Sequence, residues 1–472
     1  MIEYLHIMNT VFPVLTAFSG IQEYRMVSVG FAKIDLEAAL LPVQPIREER
    51  IEAVSMYIAD GHCECVWVVL DFMDFNLYTV RKLTDAVAEK TGIAPEHVHI
   101  VNTHNHGGGE PDREILSSLA AECALDAKNT AEPAQMRFAR TRCDKQVNIY
   151  RRKYIPELDG MTTLWYGASE SEGFDTAPFV ENAVQCVLEG TISYDSRRET
   201  DRPFDPFPAA DDTVFAAEFR TADNRPIGSL VRFAAHAVCC NRPGSFSSDY
   251  PYHVRKTIER ELGGISLFLN GPCGDIAPGM KNKYEGTEAV LGPYIGSVAL
   301  AALREASFAP LERFTDAAKP VRLAVREGVK RNFIDTGAPI PDPSDLPARF
   351  RALEHLKYAE QREFLYEKYA YGEDTLTDTV QVSLGFLQLG ELTIAAYPGE
   401  TFSLTGLALC EAFPDQNICT VTEHGRTIMY IPPKDHCDMG GYETICRMIV
   451  SGEEEVLRAA MIREMEAFLK TR

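Results

Sequence analysis

Residues 66–109 constrain the fold of this chain more than any other stretch. Val66-Trp67-Val68-Val69-Leu70 is an unbroken apolar run, β-branched and aromatic, that reads as a buried strand. Thr79 to Thr91 carries Leu83, Ala86 and Val87 on one helical face, and Gly92 follows as a stop signal. Val98 to Asn102 is a second strand. Strand, helix and strand in that order make a βαβ unit, so the two strands are expected to be parallel neighbours. A parallel pair needs helices on its faces, which sets the class as α/β or mixed α+β, built in sheet-and-helix layers.

The second strand runs straight into Thr103-His104-Asn105-His106-Gly107-Gly108-Gly109. In an extended chain residues i and i+2 share a face. His104 and His106 are therefore expected to aim together from the C-terminal edge of the sheet, where open α/β sheets bind ligands. Neutral imidazole is a common zinc ligand. The competing reading, a solvated polar loop, fits the two histidines taken alone. His97 and His99 in the preceding strand receive no role.

Other elements follow by the same rules. Val214–Phe219 and Leu230–Ala235 form a hairpin, Tyr252–Leu262 a helix, Ile265–Leu269 a strand, and 286–306 a helix. Val380–Leu389 and Leu392–Ala396 form a second hairpin across Gly390-Glu391, and Glu453–Leu469 is a closing helix. The stretch 339–372 reads either as a lid or linker or as a charged surface helix packed on a sheet.

The chain has 472 residues, 45% hydrophobic and 25% charged, with a formal charge of −22. That acidity opposes nucleic acid and anionic lipid surfaces, so no nucleic-acid partner is expected. No run of apolar residues reaches membrane-spanning length. Residues 1–25 read as a leader or N-terminal extension, and 26–472 as a single domain. Early acidic residues and scattered cysteines favour a cytoplasmic protein with free thiols, with secretion as the alternative. His62-Cys63-Glu64-Cys65 is half of a soft-metal clip with no second half.

Further candidates sit at strand ends. His236 closes the apolar run 230–235. Glu400 follows Leu392–Ala396 through Tyr397-Pro398-Gly399, where it either faces a site or charges the start of a helix. Tyr430 and Tyr442 lie 12 residues apart.

Taken in order, these blocks resemble the neutral (non-lysosomal) ceramidase family, zinc-dependent amidases. The matching stretches are 27–35, Thr103 to Gly107, Asn148 to Arg151, Phe233 to His236, Ser248 to Pro251, Asn270 to Pro278, Tyr397 to Phe402, Tyr430, and Tyr442-Glu443. The resemblance implies that His104, His236, Glu400 and Tyr430 are zinc ligands. It implies that His106, Arg151 and Tyr442 line the substrate and its developing oxyanion. The family's Asn-Arg-Ser block reads Tyr150-Arg151-Arg152 here, so Arg152 is the alternative by one register step. Asp275 is expected either to orient a histidine or to be a turn residue. Zinc would lower the pKa of bound water from 15.7 to about 7, enough for amide hydrolysis.

Larger family members carry a C-terminal immunoglobulin-like domain, and only about 29 residues follow Glu443 here, too few for a β-sandwich. The expected activity is hydrolysis of an amide bond in a small or lipid N-acyl substrate, with ceramide not fixed as that substrate. The alternatives are another zinc hydrolase, acting on esters or of the amidohydrolase barrel type, and a non-catalytic binding protein on the same fold.

Overall fold

The computed structural model describes residues 26–41, 49–145, 147–163, 177–192, 210–240, 245–279, 287–329, 339–369 and 378–471. The expectation for residues 1–25 falls outside them. Three main sheets carry the architecture. In spatial order the first holds Val98–Asn102, Glu64–Leu70, Glu52–Ala59, Ser28–Asp35 and Glu132–Pro133. The second holds Ile265–Asn270, Pro226–Phe233, Thr213–Arg220, Gln135–Arg142 and Ala309–Pro310. The third holds Phe314–Ala324, Thr379–Leu389, Leu392–Ala396 and Asn417–Val421. These are open sheets, which replaces the alternative of a regular eight-unit barrel.

Each sheet contains one parallel pair. Glu64–Leu70 runs beside Val98–Asn102, Pro226–Phe233 beside Ile265–Asn270, and Leu392–Ala396 beside Asn417–Val421. Parallel neighbours cannot be joined by a tight turn. The crossovers are the helices Leu77–Thr91, Asp249–Leu262 and Ser403–Ala412. The first is delimited as its sequence requires. The Asn76 side chain accepts from the Thr79 amide at 3.0 Å, and Gly92 ends the helix at φ 75°. The one βαβ unit read from the sequence is thus one of three.

A shared core lies among the sheets. Val69 and Val101 from the first, Leu230 and Leu269 from the second, and Ile394 and Val421 from the third pack in one cluster of buried side chains. Cys65 belongs to it as well, so the His62–Cys65 run serves packing rather than metal binding. All twelve cysteines are free thiols. Among the described residues no helix is long and apolar enough to cross a membrane.

The C-terminal ends of the parallel strands meet and are sewn together. The Asn102 amide donates to Glu423 O at 3.1 Å, and Thr422 N to Asn270 O at 2.9 Å. The Asn270 side chain donates to Thr103 O at 3.1 Å and to Ala235 O at 2.9 Å. This junction is where every strand-end candidate residue emerges.

His97 and His99 prove to be struts between the first and third sheets. His97 Nδ1 lies 2.8 Å from Asp316 Oδ2, and His99 Nε2 lies 2.9 Å from Asp316 Oδ1. Burial alone would push the Asp316 carboxyl up, but His99 and His97 hold it below its usual range. The hydrogen bond to Asp316 raises His97 above 6.5. A raised histidine stabilises the fold below its unfolded value, and that stabilisation is lost as pH rises through its folded value. A depressed carboxylate loses its contribution only at lower pH, below 3.8. Urea midpoints are therefore expected to fall as pH climbs above 6.5, and His97→Gln to flatten that part of the profile. An unchanged slope in the variant would show that His97 does not carry it.

The stretch 339–372 is helical over Leu346–Tyr369. It buries Phe350, Leu353 and Tyr358. It packs against the helix Ala177–Leu188 and the turns Pro156–Leu158 and Glu327–Val329, and its Tyr358 joins the buried cluster of Val321, Leu323 and Val380 from the third sheet. Glu354 Oε1 accepts from the Gly441 amide at 2.5 Å, which ties this helix to the loop carrying Tyr442. Residues 370–372 lie outside the described chain.

Candidate metal centre

His104 does not sit on a strand. The strand ends at Asn102, and His104 has φ 59° in the left-handed region. The pair still converges, but through a tight loop and not through strand alternation. Asn105 builds that loop by donating from Nδ2 to Asp71 O at 3.0 Å and Ser247 O at 2.8 Å, while its Oδ1 accepts from Gly107 N. Its amide donates to Phe72 O, and the His106 amide to Ala237 O. Gly107 and Gly108 are required by space: a Cβ would lie 2.4 Å from Ser247 O or 2.6 Å from Asp71 O.

His104, His236 and Glu400 form the heart of the site. His104 Nε2 lies 3.3 Å from Glu400 Oε2, and His236 Nε2 lies 3.1 Å from the same oxygen. The opposite ring nitrogens face backbone carbonyls. His104 Nδ1 is 3.1 Å from Met73 O, and His236 Nδ1 is 2.9 Å from Ile276 O. A carbonyl only accepts, so each Nδ1 carries the proton and each Nε2 is left with a lone pair. When both rings are neutral, two imidazole lone pairs and a carboxylate oxygen converge on one point. Burial lowers His236 to about 3, and the neighbouring Arg151 charge adds to it, so its ring is neutral. Burial would raise Glu400, but the histidine contacts outweigh it and hold the carboxyl well below its usual range.

Such a cluster has the donor set of a cation site. A four-coordinate zinc with ligand bonds of about 2.0–2.1 Å has ligand-to-ligand edges of about 3.3–3.4 Å, close to the separations here. Carbonyl-oriented histidines are also how proteins fix a metal-binding tautomer. His104, His236 and Glu400 are at most 3% exposed.

Tyr430 joins through backbone pairing: Glu400–Thr401 and Tyr430–Ile431 form a short parallel ladder. Its hydroxyl lies 3.5 Å from His236 Nε2. Arg151 Nη2 donates to that hydroxyl and to Gly274 O, both at 3.0 Å. Of the two arginines, Arg151 reaches Tyr430, while Arg152 turns away to Gly440 O and His436 O. Both arginines meet on Glu443, Arg151 Nε at 2.8 Å and Arg152 Nη1 at 2.6 Å. Tyr442 stacks edge-on against Tyr430 with ring centroids 5.6 Å apart. His106 Nε2 lies 3.3 Å from His104 Nε2. Of these residues His106 and Tyr442 are the two that keep partial solvent exposure, so the opening of the site lies on their side.

Asp275 orients no histidine. Its Oδ1 accepts from Ser403 N at 2.7 Å and its Oδ2 from Ser403 Oγ at 2.9 Å, so it anchors the first turn of the helix Ser403–Ala412. The helix-start carboxylate is therefore Asp275, and Glu400 is free to face the site. Three neighbours were missed in the sequence. Glu423 Oε1 lies 3.5 Å from His104 Nδ1. Its signal was the same as that of His236, a polar residue closing an apolar strand. Glu443 had only its place beside Tyr442 to mark it. Cys273 has a sulfur within 4.8 Å of ring nitrogens of His104 and His236.

No protein-family profile matches this sequence, and no curated protein matches it. Solved structures do share its fold. The neutral ceramidase from Pseudomonas aeruginosa superposes with a TM-score of 0.60 over 94% of this chain and 75% of that one, at 13% identity. A ceramidase complexed with C2 gives 0.61 over 93% and 74%, also at 13% identity. The chain has the mixed α/β fold of the neutral ceramidases, as the ordered motifs led us to expect.

Proposed function

We propose that this protein is a zinc-dependent hydrolase that cleaves the amide bond of an N-acyl substrate. The observation that carries this reading is the buried convergence of His104 Nε2 and His236 Nε2 on Glu400 Oε2, at 3.3 and 3.1 Å. Tyr430 is the fourth ligand that this reading names, and the ceramidase fold favours amide over other acyl chemistry. When bound, the metal supplies an activated water as nucleophile.

The remaining steps belong to the chain's own side chains. His106 and Tyr442, at the open side, hold the substrate carbonyl oxygen and donate to it as negative charge develops. Arg151 fixes the Tyr430 hydroxyl through Nη2. Buried against Glu443, its charge favours an electron-rich oxygen there. The buried walls exclude bulk water, which strengthens each of these interactions.

The direct test is metal quantitation on the purified chain, coupled to hydrolysis of a panel running from ceramides to short-chain N-acyl amino compounds. About one zinc per chain is expected, with equal release of acid and amine and loss of turnover on chelation. Bound zinc with no turnover on any member would favour the non-catalytic binding protein instead.

A further inference from the structure

Cys273 stands in Gly271-Pro272-Cys273-Gly274-Asp275, a loop that leaves the strand Ile265–Asn270 and passes beneath the metal ligands. Its side chain is fully buried. Its sulfur and ring nitrogens of His104 and His236 all lie within 4.8 Å of one another. The loop has little freedom to carry the thiol elsewhere. Gly271 N donates to Phe233 O at 2.9 Å, Gly274 N to Thr401 O at 3.0 Å, and Ile276 N back to Cys273 O at 2.8 Å. A Cβ on Gly274 would fall 2.4 Å from Glu400 O, so this backbone is pressed against the carboxylate ligand's own. Asp275 locks the far end onto Ser403.

From this placement we infer that Cys273 is a further donor to the metal, a soft ligand beside the nitrogens and oxygens of the site; this rests on the zinc reading above. Zinc–sulfur bonds of about 2.3 Å and zinc–nitrogen bonds of about 2.0–2.1 Å give a tetrahedral sulfur–nitrogen edge of about 3.6 Å. With the sulfur no farther than 4.8 Å from those nitrogens, binding asks of it a shift of about an ångström at most. It binds as thiolate, and its proton leaves to solvent. A sulfur donor biases the site toward thiophilic ions such as zinc, cobalt and cadmium, and against magnesium and calcium. It also gives the metal a ligand that can hold it while Tyr430 or Glu400 loosens.

Cobalt(II) substitution of the full chain reads this without any activity. The wild type is expected to show the visible d–d bands of a low-symmetry site together with a thiolate-to-cobalt charge-transfer band in the near ultraviolet. Cys273→Ser and Cys273→Ala are expected to keep the visible bands and lose the near-ultraviolet one. Visible bands in the wild type with no charge-transfer band, or a band that survives both substitutions, overturn the sulfur assignment and leave the zinc reading standing. Failure of the wild type to bind cobalt or zinc at all overturns the zinc reading, and the sulfur assignment with it.

Discussion

Glu400→Gln is expected to empty the metal site and abolish hydrolysis while leaving the metal-free protein folded at least as stably as before. Glu400 Oε2 is the atom that both His104 Nε2 and His236 Nε2 approach, so this substitution touches both of those contacts. With both imidazoles neutral, the metal-free wild type sets three lone-pair acceptors against one another. Glutamine keeps the volume, and its amide can donate to one imidazole, which relieves that opposition. With metal present the preference reverses, since the carboxylate's charge is gone. A ligand that binds only the folded state adds about 4 kcal/mol of stability at a thousandfold excess over its Kd. Thermal melts with and without zinc are thus expected to separate widely for the wild type and to coincide for Glu400→Gln. His104→Ala should also lose metal and turnover, but it opens a buried void, so its stability readout is less clean. Undiminished zinc content and turnover in Glu400→Gln would sink the assignment.

How much of this was readable beforehand depended on whether the signal was local. The βαβ unit at 64–102 was legible because periodicity and a glycine stop are properties of consecutive residues. The second and third units were legible only as parts. The strands Leu230–Ala235 and Ile265–Leu269 and the helix between them were all read, but nothing local says that the strands are parallel neighbours. That pairing follows from the shared core of Val69, Leu230 and Ile394, contributed by three sheets. The site residues were legible through ordered resemblance and strand-end position. The reason given for the His104–His106 pair was wrong in detail, because a left-handed φ at His104 is set by the Asn105 and glycine contacts and not by strand geometry. Asp275 shows the opposite failure. A carboxylate near a histidine motif invites a catalytic reading, while its partner, Ser403, lies 128 positions away.

The same long-range logic makes Glu443 the residue whose removal should cost the most stability. It is fully buried, and its two oxygens accept from Arg151 Nε, Arg152 Nη1 and Thr163 Oγ1 at 2.8, 2.6 and 2.8 Å. Burial would raise its carboxyl, but the two guanidinium groups outweigh that and hold it below the usual range. On the Arg152 side a second carboxyl, Glu354, is pushed by burial up to about 8, so at neutral pH it offers Arg152 little negative charge in compensation. Glu443→Ala therefore leaves two buried guanidinium groups facing each other. Breaking a buried pair by removing one partner costs about 3–5 kcal/mol, and here one deletion strands two cations. The urea midpoint is expected to drop by that free energy divided by the m-value, with the m-value itself unchanged. Turnover should fall as well, because Arg151 is no longer held against the Tyr430 hydroxyl. Adding Arg152→Met to Glu443→Ala removes one stranded charge, so the double variant is expected to be more stable than Glu443→Ala alone. A double variant that is weaker still would show that Arg152 is held by Gly440 O and His436 O rather than by the carboxylate.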